Sequence, residues 1–210
     1  MNLYISDLSA FPPDIKVEGI DALDYWELLS IIKDSLNHDT IYSEIPAGVS
    51  IKGPVYIGRG VELSPGAYIR PYSVICDNCV IGHGSEIKAA VLFPGAKVGS
   101  LCFVGDSVLG RGARVGSGSI TANRRFDQGN VVIHGISKAE NINSGRDYLG
   151  ALLGDYARLG ANCTTLPGTR IGSYTWVYPA TKVSGLIPGG KHVFTQSELV
   201  MRDGEAIELK

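Results

Sequence analysis

Large apolar residues recur along the chain every six positions, at Ile45, Ile51, Ile57, Leu63, Ile69, Ile75, Ile81, Ile87 and Phe93. Four residues after each stand Val49, Val55, Val61, Ala67, Ser73, Cys79, Ser85, Val91 and Lys97, most of them small or β-branched. Val98, Val104 and Leu109 carry the pattern on, with a five-residue slip before Leu109. A second block repeats it at Leu153, Leu159, Thr165, Ile171, Val177 and Val183. An amphipathic helix needs a period of 3.6 and a half-buried strand a period of two. A period of six fits short strands joined by tight turns, with three hexapeptides closing one triangular coil around its leading aliphatic residues. One coil cannot bury its own faces, so coils must stack, pairing through parallel β hydrogen bonds. The predicted fold is all-β: a single-stranded left-handed parallel β-helix of hexapeptide repeats, the exception to the right-handed crossover rule.

The flanks break the period. "DALDYWELLSIIKDSLN" (Asp21–Asn37) places Tyr25, Leu28, Leu29, Ile32 and Leu36 on one helical stripe, with Asp21 as N-cap and Asn37 as stop. This predicts a short N-terminal α-helical cap over the first coil, whose open strand edge would otherwise invite aggregation. "ELVMRDGEAIELK" reads as a C-terminal β-hairpin around Asp203-Gly204. The expected organisation is an N-terminal α/β cap over 1–44, the β-helix over 45–188 and a C-terminal extension over 189–210. Residues 122–150 form an inserted loop out of register, long enough to be a functional or interaction arm; "NVVIHGIS" within it reads as a strand.

Composition narrows the classes. A formal net charge of -2 provides no electrostatic reason for a nucleic-acid or anionic-membrane partner. With 44% hydrophobic and 19% charged residues the chain is not disordered, and its 27 glycines follow no collagen period. No apolar run approaches the ~20 residues that span a bilayer, and the N-terminus lacks the features of a signal peptide. The expectation is a cytoplasmic protein with reduced thiols.

Candidate chemistry sits on the repeat. "CDNC" is a CxxC pair, but Cys79, Cys102 and Cys163 share the small inward position while Cys76 has another phase. They read as packing, and with four scattered histidines no metal site is expected. Lys52, Arg70 and Lys88 each follow a leading isoleucine, 18 residues apart, so they stack on one face at about 4.8 Å. Stacked like charges destabilise one another; an anion such as phosphate would relieve them, and splaying into solvent would do so too. His134 is the histidine with reach into a neighbouring chain, and Arg124 and Arg125 open the same loop. "VGSGSITAN" lacks the context of a nucleotide-binding loop.

The run from Ile69 to Asp127, above all "GSGSITANRRFD", together with "LGALLGDYARLGANCTTLPGTRIG", resembles the C-terminal β-helix domain of bifunctional N-acetylglucosamine-1-phosphate uridyltransferase/glucosamine-1-phosphate acetyltransferase and of archaeal-type sugar-phosphate nucleotidylyltransferases. The resemblance covers roughly Ile45 to Pro188. It implies a homotrimer that moves an acetyl group from acetyl-CoA to a sugar-phosphate amine in clefts between subunits. Arg70 and Lys88 match basic residues of the sugar-phosphate site and Asn123 a substrate-contacting asparagine. Contacts to coenzyme A would fall near Ser117, Ala161 and Pro179. The nucleotidylyltransferase domain has no counterpart, so uridylyl transfer is not expected.

The departures bear on activity. Ser100 stands where the family has its catalytic histidine, Phe103 for a tyrosine, Arg114 for an asparagine, Arg124 for a tyrosine and Tyr148 for a lysine. Serine is no base without help, and a general base contributes typically ~10²–10⁴-fold; a substrate that brings a low-pKa nucleophile, or His134 reaching in from an adjacent chain, would have to take its place. The function implied is an acyl-CoA-dependent transferase, acetyl-CoA first, acting on a sugar phosphate or nucleotide sugar. The alternative is a catalytically altered trimer that binds such a ligand and regulates or scaffolds a separate nucleotidylyltransferase.

Overall fold

The computed structural model describes residues 11, 12, 15, 26–135 and 137–195. The C-terminal hairpin expected around Asp203-Gly204, and Asp21 and Tyr25 of the helical stripe, lie outside them. The fold is the predicted left-handed β-helix of hexapeptide repeats. Short strands stack in parallel into three faces. Face A has eight strands, from Thr40–Ile41 to Leu186–Ile187; face B has seven, from Ser50–Ile51 to Lys182–Val183; face C has seven, from Glu62–Leu63 to His192–Val193.

The interior is one apolar column. Ile57, Leu63, Ile69, Ile75, Ile81 and Ile87 lead its rungs, followed by Val98, Val104, Leu109 and Val115, with Cys79, Cys102 and Cys163 among them. Buried serines tie coil to coil: the Ser85 hydroxyl donates to Gly99 O at 2.6 Å and accepts from Cys102 N at 3.0 Å. The repeat departs from the sequence reading at Phe93. Leu92 is the interior rung, while Phe93 points outward beneath Phe11. The cause is a tight corner at Ala89 (φ 45), matched one coil later at Asp106 (φ 47). Each removes one residue, so Val74 pairs with Val91 and Val91 with Val108, 17 residues apart, where Val55 and Ser73 are 18 apart.

The cap helix spans Leu28–Ser35, shorter than expected, and ends at an extended Leu36 rather than Asn37. It does not cover the first coil. Leu28, Leu29, Ile32 and Leu36 join the outward residues Tyr56, Val74, Val91, Val108 and Leu152 in a second core on the flank of face A. That flank is apolar on both sides of its strands, so a helix lying there buries more than one at the end of the coil. The inserted loop closes the same flank. Its Val132–Ile133 strand pairs antiparallel with Ile142–Asn143, and Val131, Ile133 and Leu149 enter the second core. Among the described residues no helix is long and apolar enough to cross a membrane.

Candidate functional site

Three corners join the faces, and two of them collect the predicted residues. The corner from face B to face A carries the cation column. Lys52, Arg70 and Lys88 stack as the register demands, but carboxylates already answer two of them. Arg70 Nη1 lies 2.7 Å from Glu86 Oε1, and Lys88 Nζ 2.7 Å from Asp106 Oδ2. The pairs differ in burial: Arg70 and Glu86 are 37% and 33% exposed, Lys88 and Asp106 22% and 8%. The relief ascribed to a bound anion is thus supplied within the chain. Lys52 is exposed.

Asp106 is the hub of this corner. Its Oδ2 also accepts from Asn123 Nδ2 at 2.6 Å. Its register partner is not Lys88; Gly105 pairs with Lys88, and the five-residue corner swings Asp106 back over the lysine. A Cβ on Gly105 would lie 2.6 Å from the Phe103 ring and 2.8 Å from Asn123 Nδ2, so a larger residue here would displace both side chains from the corner. Above sits Tyr148, its ring centroid 4.3 Å from Lys88 Nζ and 5.0 Å from Arg124 Cζ. Arg124 Nη1 donates to its hydroxyl at 2.7 Å. Arg124 and Tyr148 thus form one contact of cation and phenol.

The corner from face C to face B carries a second column. A Cβ on Gly82 would meet Ser100 N at 2.6 Å, one on Gly99 would meet Ser117 N at 2.6 Å, one on Gly116 would meet Ala161 N at 2.7 Å and one on Gly160 would meet Pro179 N at 2.6 Å. His83, Ser100, Ser117, Ala161 and Pro179 thus stand on successive coils at one corner. Ser100 N donates to Ser117 Oγ at 3.1 Å, and Ser100 O accepts from Gly118 N at 2.9 Å. The width of face B separates this column from Lys88 and Asn123 in one chain.

His134 does not approach either. It lies on the flank of face A, where Arg170 donates to its backbone oxygen, across the coil from Ser100. The arm packs on its own chain, which removes His134 as a substitute at Ser100 of the same chain. The imidazole that shares the Ser100 corner is His83, one coil earlier. Its Nδ1 is 2.5 Å from Pro65 O; donation there leaves Nε2 as the acceptor.

Face C holds what sequence reasoning did not find. Lys97 pairs in register with Arg114, Arg114 with Arg158, Arg158 with Trp176 and Trp176 with His192. Three cations on consecutive strands have no carboxylate partner among the described residues. Arg158 Cζ lies 5.9 Å from the Trp176 ring centroid, and Trp176 stacks on His192 at 5.1 Å. Arg114, Arg158, Trp176 and Tyr178 line a groove of about 440 Å³, whose far wall is Ser117, Ala161 and Pro179. The spacings of 17 and 44 residues hid this ladder from a search at 18.

The cysteines are interior. Cys79 points into the coil and Cys76 outward under the cap, so CxxC cannot converge on one ligand. Burial pushes both thiols up, Cys79 to about 12. Among the described residues no group of three His, Cys, Asp or Glu side chains could hold a metal.

The family described as the GMPPB C-terminal domain matches residues 51–142. The bifunctional sugar-1-phosphate nucleotidylyltransferase/acetyltransferase of Sulfurisphaera tokodaii is 42% identical over 180 residues, 76% of this chain and 44% of that one. The bifunctional protein GlmU of Methanocaldococcus jannaschii is 34% identical over 215 residues, 89% of this chain and 52% of that one. The chain spans about half the length of the curated relatives it matches. Among solved structures, a mutant GDP-perosamine N-acetyl transferase from Caulobacter crescentus, crystallised with CoA and GDP-perosamine, is similar at 18% identity. It matches over 67% of this chain and 52% of that one, with a TM-score of 0.32. The chain is a homologue of the GlmU-type bifunctional nucleotidylyltransferase/acetyltransferases, built as a hexapeptide-repeat β-helix.

Proposed function

We propose that the chain is an acyl-CoA-dependent transferase, with acetyl-CoA the first donor to test, acting as a homotrimer on an amino or hydroxyl group of a sugar phosphate or nucleotide sugar. The face C groove carries this reading. Stacked, unpaired cations are unfavourable until an anion joins them, and an indole beside them offers a stacking surface. Coenzyme A has both a purine and phosphates. Arg114 and Arg158 would hold the phosphates, Trp176 and Tyr178 the base, and the corner of Pro179, Ala161 and Ser117 would lead its thiol arm to Ser100. The bound thioester supplies an activated acyl carbonyl.

The acceptor must lose a proton, and no base stands within hydrogen-bond reach of the Ser100 hydroxyl among the described residues. His83 is the acceptor of that proton in this reading. Lys52, Arg70, Lys88, Asn123 and Arg124 form the acceptor's anion-binding side, brought opposite by a neighbouring chain. Leu101, 67% exposed, and Ile120, 44% exposed, are the apolar surface such a neighbour would cover.

The test is release of free thiol from acetyl-CoA with a panel of amino-sugar phosphates. Activity is expected, and H83Q should lower kcat by about 10²-fold or more. No thiol release together with no binding of coenzyme A overturns the reading. The bare Ser100 favours a second one, a nucleotide-sugar-binding trimer without catalysis. Thermal stabilisation by nucleotide sugars and none by coenzyme A would select it.

A further inference from the structure

The first turn of the arm presents a bare phenylalanine. Phe126 is 108% exposed, yet the turn that holds it is braced. Gln128 N donates to Arg125 O at 3.2 Å and closes the turn around Phe126 and Asp127. Asp127 Oδ1 accepts from Arg125 Nε at 2.8 Å and from Gly129 N at 3.2 Å, and its Oδ2 accepts from Arg125 Nη2. Arg124 ties the same turn to the Tyr148 hydroxyl at 2.7 Å and to Gln128 Oε1 at 3.1 Å. Exposing an aromatic ring to water is unfavourable, and a ring held in place before contact loses little freedom on docking. Buried aromatic anchors of this kind carry much of an interface's energy.

A second exposed apolar side chain stands at the other corner of face B. Leu101 is 67% exposed and has φ 58, where the coils before and after it place Gly84 and Gly118. The left-handed region is disfavoured for leucine, and its side chain lies over Gly84 without being buried. Between the two corners, Phe103 pairs in register with Ile120, which is 44% exposed. Phe126 follows Asn123 by three residues at the corner from face B to face A, and Leu101 follows Ser100 at the corner from face C to face B. The two halves of the site thus bound one partly apolar face. With that face turned inward, three triangular coils packed head to tail close a ring, and each Asn123 corner meets the Ser100 corner of the next chain. Leu101 lies one coil, about 4.8 Å, from the level of Asn123, a step the phenyl ring can span.

We propose that Phe126 is the anchor between chains, seated on Leu101 and Ile120 of a second copy, and that this contact sets Lys88 and Asn123 of one chain against Ser100 of the next. It deepens the transferase reading and rests on it for the closed ring of three. It gives the inserted arm a task in assembly, at a residue that the six-residue period does not select.

Native mass spectrometry and light scattering of the full chain over a range of concentrations test this. The parent chain should be a trimer. F126S and L101S should each raise the concentration of half-dissociation by about tenfold or more, with far-ultraviolet circular dichroism unchanged. F126S/L101S should be little worse than either single variant, because both remove one contact. I142S, at an arm residue 46% exposed, should leave the trimer intact. A monomeric or dimeric parent, an F126S trimer of undiminished strength, an equal loss in I142S, or additive losses in the double variant overturns the proposal. A trimer weakened in F126S with no thiol release from the parent leaves the anchor standing and sinks the transferase reading. Thiol release by the parent with F126S as firmly trimeric does the reverse.

Discussion

The two ion pairs of the cation column have the same N–O distance of 2.7 Å and different surroundings, and this makes a sharp prediction about K88M and R70M. At an effective dielectric of about 20 a pair at that distance attracts by about 6 kcal/mol before desolvation is subtracted. For Arg70–Glu86, each more than 30% exposed, water screens the charges and takes them back when the pair breaks. R70M should cost less than about 1 kcal/mol. Asp106 is only 8% exposed, so K88M leaves a nearly buried carboxylate with the Asn123 amide as its remaining side-chain donor. Removing one partner of a fully buried pair costs about 3–5 kcal/mol; with Lys88 at 22% exposure the expected loss is about 2–3 kcal/mol. For a chain of this length that lowers Tm by about 5–10 °C, against under about 3 °C for R70M. Replacing both partners in K88M/D106L should recover much of the loss, since no orphaned charge remains. Thermal unfolding followed by circular dichroism in low and high salt measures all three. Equal losses in K88M and R70M, or a double variant worse than K88M, would refute the assignment of Asp106 as a buried hub.

Two further predictions concern coil packing and the thiols. G82A puts a Cβ 2.6 Å from Gly99 C and Ser100 N, so coils must separate; a loss of about 2–3 kcal/mol is expected in urea titration. G145A, with nothing within 4 Å, should cost only the strain of its positive φ, about 1 kcal/mol, and a larger loss in G145A than in G82A would contradict the stacking. Buried Cys76 and Cys79 hold their protons more tightly than unfolded thiols, Cys79 up to about 12. The folded state therefore binds more protons above the unfolded thiol pKa, and stability falls as pH rises from about 8.5 towards 12, by at most about 1.4 kcal/mol per thiol per pH unit. A thiol-specific chromogenic reagent at pH 8 should label both only as the chain unfolds; rapid labelling of the native protein would falsify their placement.

The sequence by itself determined the coil. Six-residue spacing of aliphatics has one economical solution, and Ile57 through Ile87 sit inside because inward positions recur wherever the period is unbroken. It also located the Lys52–Arg70–Lys88 stack and the interior thiols, which obey the same count. Tertiary structure decided what counting could not. Removing one residue at Ala89 and one at Asp106 moved the rung from Phe93 to Leu92, brought Asp106 onto Lys88 and set Lys97 beside Arg114; the arm set Arg114 beside Arg158. The arm also joined Arg124 to Tyr148 and carried His134 to the flank of face A. These are contacts between residues whose separations follow no period, fixed by corners and by which apolar flank remained to be buried. Charge compensation depends on such contacts, so the sequence showed a column of cations and only the fold showed which were already neutralised.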